Sequence, residues 1–330
     1  MRGLVIGKFY PPHNGHHFLI DTALKHSDEL DVLIVNNPAY YIPVENRRKW
    51  IESRHPKAHV HVIPDIYDED NSEAWAKHTI AFLGYSPDTV FSSENYGDAY
   101  AKFLGAKHHM VDHDRKKVPV SGTKVRGDFL KYWDFLGREV KAALALRIVV
   151  VGAESTGTTT LAQALAYEYS TMWVPEVGRF YAEGVQSRNH SWNDEDFASI
   201  ARTQQVLENE MAANSDGIIV CDTNATATTL WQKRYLGKST AAVEKIAQKD
   251  TVNLYIITGD EIPFVPDSTR DGEHIRHEMH QWFVDRLSNE SMPCIVVTGS
   301  IKERVIQSKK YIDEAIKQAS AIVDNSPKTR

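Results

Sequence analysis

Short apolar runs alternate with amphipathic stretches from the first residues onward. Leu4–Gly7 is followed by a helical pattern over Gly15–His26, Asp31–Asn36 by one over Val44–Ser53, and Val60–Ile63 by one over Ser72–Leu83. Thr89–Ser92 with Tyr96–Leu104, then Lys107–Val111 with a helical tail from Thr123, complete a first set. Short apolar runs separated by helices predict a parallel sheet covered on both faces, which receives ligands beyond the carboxyl ends of its strands. A helix over Asp128–Ala145 then leads into Leu146–Val151, a β-branched strand that opens a second set, with Ile218–Asp222 as a further strand. The pattern divides the chain into two α/β domains, 1–145 and 146–330, each long enough to bury a core.

Composition narrows the picture without changing it. The 330 residues carry a net charge of −6, which argues against nucleic-acid binding driven by bulk charge but not against an anionic small substrate. Two cysteines, Cys221 and Cys294, lie far apart in apolar runs and form no metal or disulfide pattern. No apolar segment with a small-residue cleavage site opens the chain, and the run Ala142–Val151 is interrupted by Arg147 and too short to span a bilayer. A cytoplasmic protein with small-molecule partners and no membrane association is expected. The oligomeric state stays open, a homo-oligomer included.

The first strand–helix junction reads Gly7-Lys8-Phe9-Tyr10-Pro11-Pro12-His13-Asn14-Gly15-His16. Gly7 allows a close turn and the prolines stiffen the loop. His13 and His16, three apart at a helix start, can project to one side beside free N–H groups and a positive dipole end. With Lys8, they make a site for polyphosphate. The spacing resembles the G-x-F-x-P-x-H-x-G-H signature of the nucleotidyltransferase superfamily, carried by Gly7, Phe9, Pro11, His13, Gly15 and His16. Near the end of the first set, Ser121, Thr123 and Arg126 resemble that superfamily's S-x-T-x-x-R signature. Between the two, the stretches around Arg47 and Asp65, and Trp75 after them, resemble nicotinamide-mononucleotide adenylyltransferases. That resemblance implies that Arg47 contacts ATP phosphate, that Trp75 stacks on the nicotinamide ring and that Asp65 belongs to the same substrate site. On residue type alone, Trp75 also fits a core aromatic and Arg47 a solvated helix charge. His108, His109, Asp112, His113 and Asp114 lie on and just after a strand, where alternating side chains cannot converge easily on a metal.

The second set opens with Gly152-Ala153-Glu154-Ser155-Thr156-Gly157-Thr158-Thr159-Thr160, between a strand and a helix. This is the context of a phosphate-binding P-loop, whose N–H groups surround a phosphate. Thr159 sits where a hydroxyl holds Mg²⁺, but Thr158 replaces the lysine that normally follows the second glycine. Arg270, Arg276 and Arg179 are the candidate substitute cations. Asp222 ends an apolar strand as a Walker B aspartate does, with a helix N-cap as the plain alternative. Glu176 precedes Arg179 at another strand end, and Pro263–Gly272 suits a mobile lid or a surface loop.

In this order the features resemble the NadR-type bifunctional family, nicotinamide-mononucleotide adenylyltransferase fused to ribosylnicotinamide kinase. The resemblance implies a Rossmann-like nucleotidyltransferase domain followed by a P-loop kinase-like domain. It further implies ATP as co-substrate with Mg²⁺. His13 and His16 would contact the α- and β-phosphates, Lys8 and Arg47 the triphosphate, and Arg126 the departing pyrophosphate. In the second domain Glu176 or Asp222 would orient the riboside hydroxyl. A nucleotide-sensing second domain without turnover is the competing expectation. The chain begins at the nucleotidyltransferase strand, so the helix-turn-helix domain of some family members is not expected.

Overall fold

The computed structural model describes residues 1–68, 70–187, 191–265, 272–319 and 321. Contacts divide it into two compact units, Met1–Val140 and Lys141–Ala319.

In the first unit the elements run β1 (Arg2–Gly7), α1 (Asn14–Lys25), β2 (Glu29–Asn36), α2 (Val44–Arg54), β3 (His59–Pro64), α3 (Ser72–Leu83), β4 (Thr89–Ser92), α4 (Gly97–Leu104), β5 (Lys107–Met110) and α5 (Gly122–Gly127). The strands form one parallel sheet in the order β3-β2-β1-β4-β5. Side chains alternate across it. Val5, Val32 and Ile34 pack with Ile20 of α1 on one face, while Leu4, Leu33 and Ile63 pack with Ala76 and Tyr100 of α3 and α4 on the other. The chain leaves β1 toward β2 on one side and reaches β4 on the other. The strand order therefore reverses at β1, and a crevice opens at its carboxyl end beside Gly7.

The single helix expected over Asp128–Ala145 is not formed. The backbone is extended at Asp128 (φ −162°), whose carboxylate accepts from Lys131 N at 3.1 Å. A short 3₁₀ turn follows at Trp133–Phe135, and α6 (Arg138–Leu144) begins only after Gly137. A local aspartate acceptor and a glycine outcompete helix continuation there.

The second unit continues with β6 (Leu146–Val151), α7 (Thr158–Glu168), β7 (Met172–Val174), α8 (Val177–Ser187), α9 (Asp194–Asn214), β8 (Ile218–Asp222), α10 (Ala225–Leu236) and α11 (Ala241–Ala247). It ends with β9 (Leu254–Thr258), α12 (Arg276–Ser288), β10 (Cys294–Val297) and α13 (Ile301–Ala319). Its sheet is again parallel, ordered β10-β9-β6-β8-β7. All six residues of β6 are buried, with Ile148 and Val150 packing on Leu161 and Leu165 of α7. The glycine-rich loop leaves the end of this central strand, where the order reverses a second time. No described helix is long and apolar enough to cross a membrane.

Candidate functional site

In the first unit, His13 is the N-cap of α1, with extended backbone (φ −142°, ψ 170°). Its Nδ1 accepts from Gly15 N at 3.2 Å and His16 N at 3.4 Å, while His16 Nδ1 accepts from His13 N at 3.3 Å. The two imidazoles thus form a reciprocal capping box and stack with centroids 3.7 Å apart. Because both Nδ1 atoms accept, each neutral ring carries its proton on Nε2. Burial, followed by the charge of Arg115, lowers the pKa of His13 to about 3. Burial and the neighbouring His13 push His16 well below its usual range. Both rings are neutral N–H donors at pH 7, and His13 Nε2 is buried with no hydrogen-bond partner among the described residues.

A cavity of about 400 Å³ opens here, walled by Lys8, His13, His16, Asp65, Trp75, Thr123 and Arg126, with Gly7, Phe9 and Gly15 between them. The two signatures therefore meet. Arg126 reaches across to donate to Tyr10 O at 3.1 Å and to Thr123 Oγ1 at 3.3 Å. A Cβ on Gly122 would lie 3.1 Å from Arg126 Nη1 and 4.0 Å from His13 Nε2, so a side chain there would press on the guanidinium and touch the imidazole. Asp65 accepts from Tyr40 Oη at 3.0 Å on the same wall. Trp75 is buried, its Nε1 donating to Asp68 O at 3.1 Å, and it serves the core and the cavity wall at once.

Two expected residues stand elsewhere. Arg47 is fully buried and off the cavity wall, neither a solvated helix charge nor a wall cation. Its guanidinium donates to Lys8 O at 2.6 Å, Val35 O at 3.2 Å and Asn36 Oδ1 at 2.5 Å, tying together the ends of β1 and β2. Burial lowers its pKa to about 10, which leaves it charged at neutral pH. Ser121 caps α5, accepting from Lys124 N at 3.3 Å, and is also off the wall. One cation was missed: Arg115 lines the cavity, held by Val120 O at 3.0 Å and Glu94 Oε1 at 2.6 Å. Left-handed backbone at Asp112 (φ 50°) and Arg115 (φ 52°) makes the turn that aims it, and no local motif marks that turn. The neighbouring histidines disperse: His108 bonds Asp98 and Ser92, His113 bonds Asn95 and Asp114. Among the described residues no group of three ligating side chains converges on a metal position.

In the second unit a cavity of about 120 Å³ is walled by Gly152, Ser155, Thr158, Thr159, Glu176, Arg179 and Asp222. Gly152 has no room for a side chain, since a Cβ would fall 2.2 Å from Thr258 Oγ1, and Gly157 takes a left-handed conformation (φ 83°) that lets α7 begin. Thr159 Oγ1 donates to Asp222 Oδ2 at 2.6 Å. Burial pushes the Asp222 carboxyl up to about 6, against the opposing pull of the Thr159 and Thr158 hydroxyls and the charge of Arg179. The N-cap of α10 is Asn224, so Asp222 is not a cap. Thr156 is buried, donating to Ala153 O at 2.7 Å beside Thr258, and serves the loop's shape, away from the wall. Thr160 points outward, exposed and off the wall. Arg276 reaches the loop's backbone, whereas Arg270 lies outside the described residues, as does most of the lid-like stretch.

Trp192, Phe197, Trp231 and Tyr235 line this cavity as an aromatic group that sequence reading did not find. Trp192 stacks on Tyr235 at 5.2 Å and on Tyr181 at 6.0 Å. Only the four-residue spacing of Trp231 and Tyr235 on α10 hinted at it. Arg304 was missed as well, a buried cation on α13 that touches the glycine-rich loop.

Residues 4–128 match a family model described as cytidylyltransferase-like, and residues 147–304 match one described as an AAA domain. The chain is 26% identical over 295 residues to the trifunctional NAD biosynthesis/regulator protein NadR of Salmonella typhimurium, covering 81% of this chain and 71% of that protein. It is 26% identical over 323 residues to the protein of the same name from Escherichia coli, covering 89% and 78% respectively. Two solved structures share the fold over 96% of both chains: a NadR protein in complex with NR (TM-score 0.74, 19% identity) and one in complex with NAD and AMP-PNP (TM-score 0.72, 18% identity).

Proposed function

Since the chain is homologous to the NadR proteins, we propose that its first unit joins nicotinamide mononucleotide to ATP, giving NAD⁺ and pyrophosphate, and that its second unit phosphorylates ribosylnicotinamide. The observation that carries the first reading is the single cavity shared by His13, His16, Asp65, Trp75 and Arg126. In the reaction an oxygen of the mononucleotide phosphate attacks the α-phosphorus of ATP in line. The bond from that phosphorus to the bridging oxygen breaks, and pyrophosphate leaves with the electron pair. A phosphate is already an adequate nucleophile at neutral pH, so alignment and charge stabilisation carry the catalysis. The Nε2–H groups of His13 and His16 donate to α- and β-phosphate oxygens without adding a proton that must later be removed. Lys8, Arg115 and Arg126 balance the charge that builds on the leaving group. Trp75 offers an electron-rich face to the electron-poor pyridinium.

In the second unit, Glu176 or Asp222 orients the riboside 5′-hydroxyl, and Arg179 with the aromatic group receives the rest of the nucleoside. The hydroxyl of Thr159 and the carboxylate of Asp222 are hard oxygen donors that fit Mg²⁺, which when bound neutralises phosphate charge. The uncharged Thr158 favours a second reading, a unit that binds nucleotide without turnover. Product analysis separates these readings. ATP with nicotinamide mononucleotide should yield NAD⁺ and pyrophosphate, with a large loss in the His16→Ala variant. ATP with ribosylnicotinamide should yield the mononucleotide and NAD⁺ made from it. Nucleotide binding by calorimetry without any such product would leave the second unit a sensor.

A further inference from the structure

Thr158 leaves the phosphate loop without its usual ammonium, and a triphosphate facing loop N–H groups alone keeps much of its charge uncompensated. The loop has a second side. Ser155 O accepts from Arg276 Nη2 at 3.2 Å, and the next carbonyl, Thr156 O, accepts from Arg304 Nη1 at 2.6 Å. Two buried arginines, from α12 and α13, thus hold consecutive peptides of the same loop.

The two differ in what else they touch. Arg304, 3% exposed, uses its remaining donors on Gly299 O at 3.0 Å, Gly259 O at 3.2 Å and Glu261 Oε1 at 2.8 Å. Its charge is offset by that carboxylate. Arg276, 7% exposed, has no carboxylate partner among the described residues, and its Nε is buried with no hydrogen bond. The ring of Phe264 lies 5.9 Å from its Cζ. A buried cation without an anion is costly, and an anion bound on the far side of the loop relieves that cost. Arg179, on the cavity wall, acts on Asp222 and lies 3.8 Å from Glu183.

We propose that Arg276 is a positioning residue that takes over the electrostatic task of the absent lysine. It acts through the Ser155–Thr156 peptide on phosphates held at the loop's opposite side, while Arg304 fixes the loop's shape. In a trans peptide the C=O and N–H point opposite ways. A guanidinium on the carbonyl oxygen therefore both polarises the Thr156 N–H as a donor and adds positive potential behind it. The inference rests on the loop being a phosphate site and not on phosphoryl transfer, so a second unit without turnover would leave it standing.

Hydrogen exchange on the full chain, titrated with inorganic tripolyphosphate, tests it, because protection of the peptide spanning 150–162 reports this site alone. Arg276→Gln is expected to raise the half-protecting concentration about tenfold or more, from the Coulomb energy of one charge across a loop. Protection over 11–20 should not move. Adding Thr158→Lys to that variant should bring the loop back to within about threefold of the unsubstituted chain. A lysine on the opposite side cannot restore lost packing, so rescue separates charge from scaffolding. If Arg276→Gln does not fold, Arg276→Lys decides: a charge-borne role keeps half-protection within about threefold, and a shape-borne role loses it. Unchanged binding in Arg276→Gln, a loss that Thr158→Lys does not recover, or no loop protection in the unsubstituted chain would each overturn the proposal.

Discussion

In the first unit Lys8, Arg115 and Arg126 stand on the cavity wall with two imidazole N–H donors among them. In the second, the wall carries one cation among the described residues, Arg179, near the carboxylate of Asp222, and two buried arginines lie behind the loop's carbonyls. Both cavities sit where a parallel sheet reverses its strand order, so the topology supplies the place and leaves the field to the side chains. Charge on the wall gives strong contacts that a single substitution removes. Charge relayed through main chain is weaker per group, but it survives the loss of the residue that normally faces the ligand. The proposed relay through Arg276 would let a loop with these glycines, Thr159 and Asp222 hold phosphate around an uncharged Thr158.

The largest effect is expected where the comparison is sharpest. Arg126→Ala should lower kcat/KM for NAD⁺ formation by about 10²–10³-fold, the loss typical of one aligned charge-stabilising donor. A loss below tenfold would mean that Lys8 and Arg115 share its task. Asp222→Asn comes next, with phosphorylation of the riboside falling about 10²-fold. Its stability effect has the opposite sign. The folded-state pKa of about 6 lies above the ordinary 3.8, so the folded protein holds this proton more tightly than the unfolded chain. The contribution of Asp222 to stability is full below pH 3.8 and is lost as pH rises through 6. At pH 7 Asp222→Asn should therefore gain up to about 3 kcal/mol, seen as a higher denaturation midpoint that vanishes at pH 4. The site thus holds function against stability, and an equal midpoint at both pH values would break that account.

Much of this was legible because it depends on local order. The strand–loop–helix junctions at Gly7–His16 and Gly152–Thr160 show their chemistry in consecutive residues, and alternating apolar runs gave the first parallel sheet and the α/β character of the second unit. What was not legible depends on residues distant in sequence. Arg115 reaches the cavity only through two left-handed residues, Arg304 meets Thr156 from 148 positions away, and the aromatic group combines α10 with the start of α9. Arg47 went the other way: its helix position is plain in the sequence, but the carbonyls of Lys8 and Val35 that capture it are set by strand packing.

Arg47→Ala accordingly tests which side of the comparison that residue belongs to. It should leave two carbonyls and Asn36 unpaired in the interior and cost about 3 kcal/mol in denaturant unfolding. A variant of ordinary stability with a raised KM for ATP would instead return Arg47 to the cavity wall.

The smallest effect belongs to Thr160→Ala, and it is informative for that reason. Thr160 follows Thr159, whose hydroxyl donates to Asp222, by one residue on α7, so its side chain is turned about 100° round the helix. It is exposed and outside the cavity wall, and alanine is the better helix former. Stability should change by less than about 0.5 kcal/mol, with the KM for ATP in riboside phosphorylation unchanged. Thr159→Ala, one position earlier, should lose the hydroxyl that donates to Asp222 and with it most of the rate. Equal losses from the two substitutions would mean that α7 rotates when nucleotide binds. The main-chain route from Arg276 would then have to be redrawn from a different loop geometry.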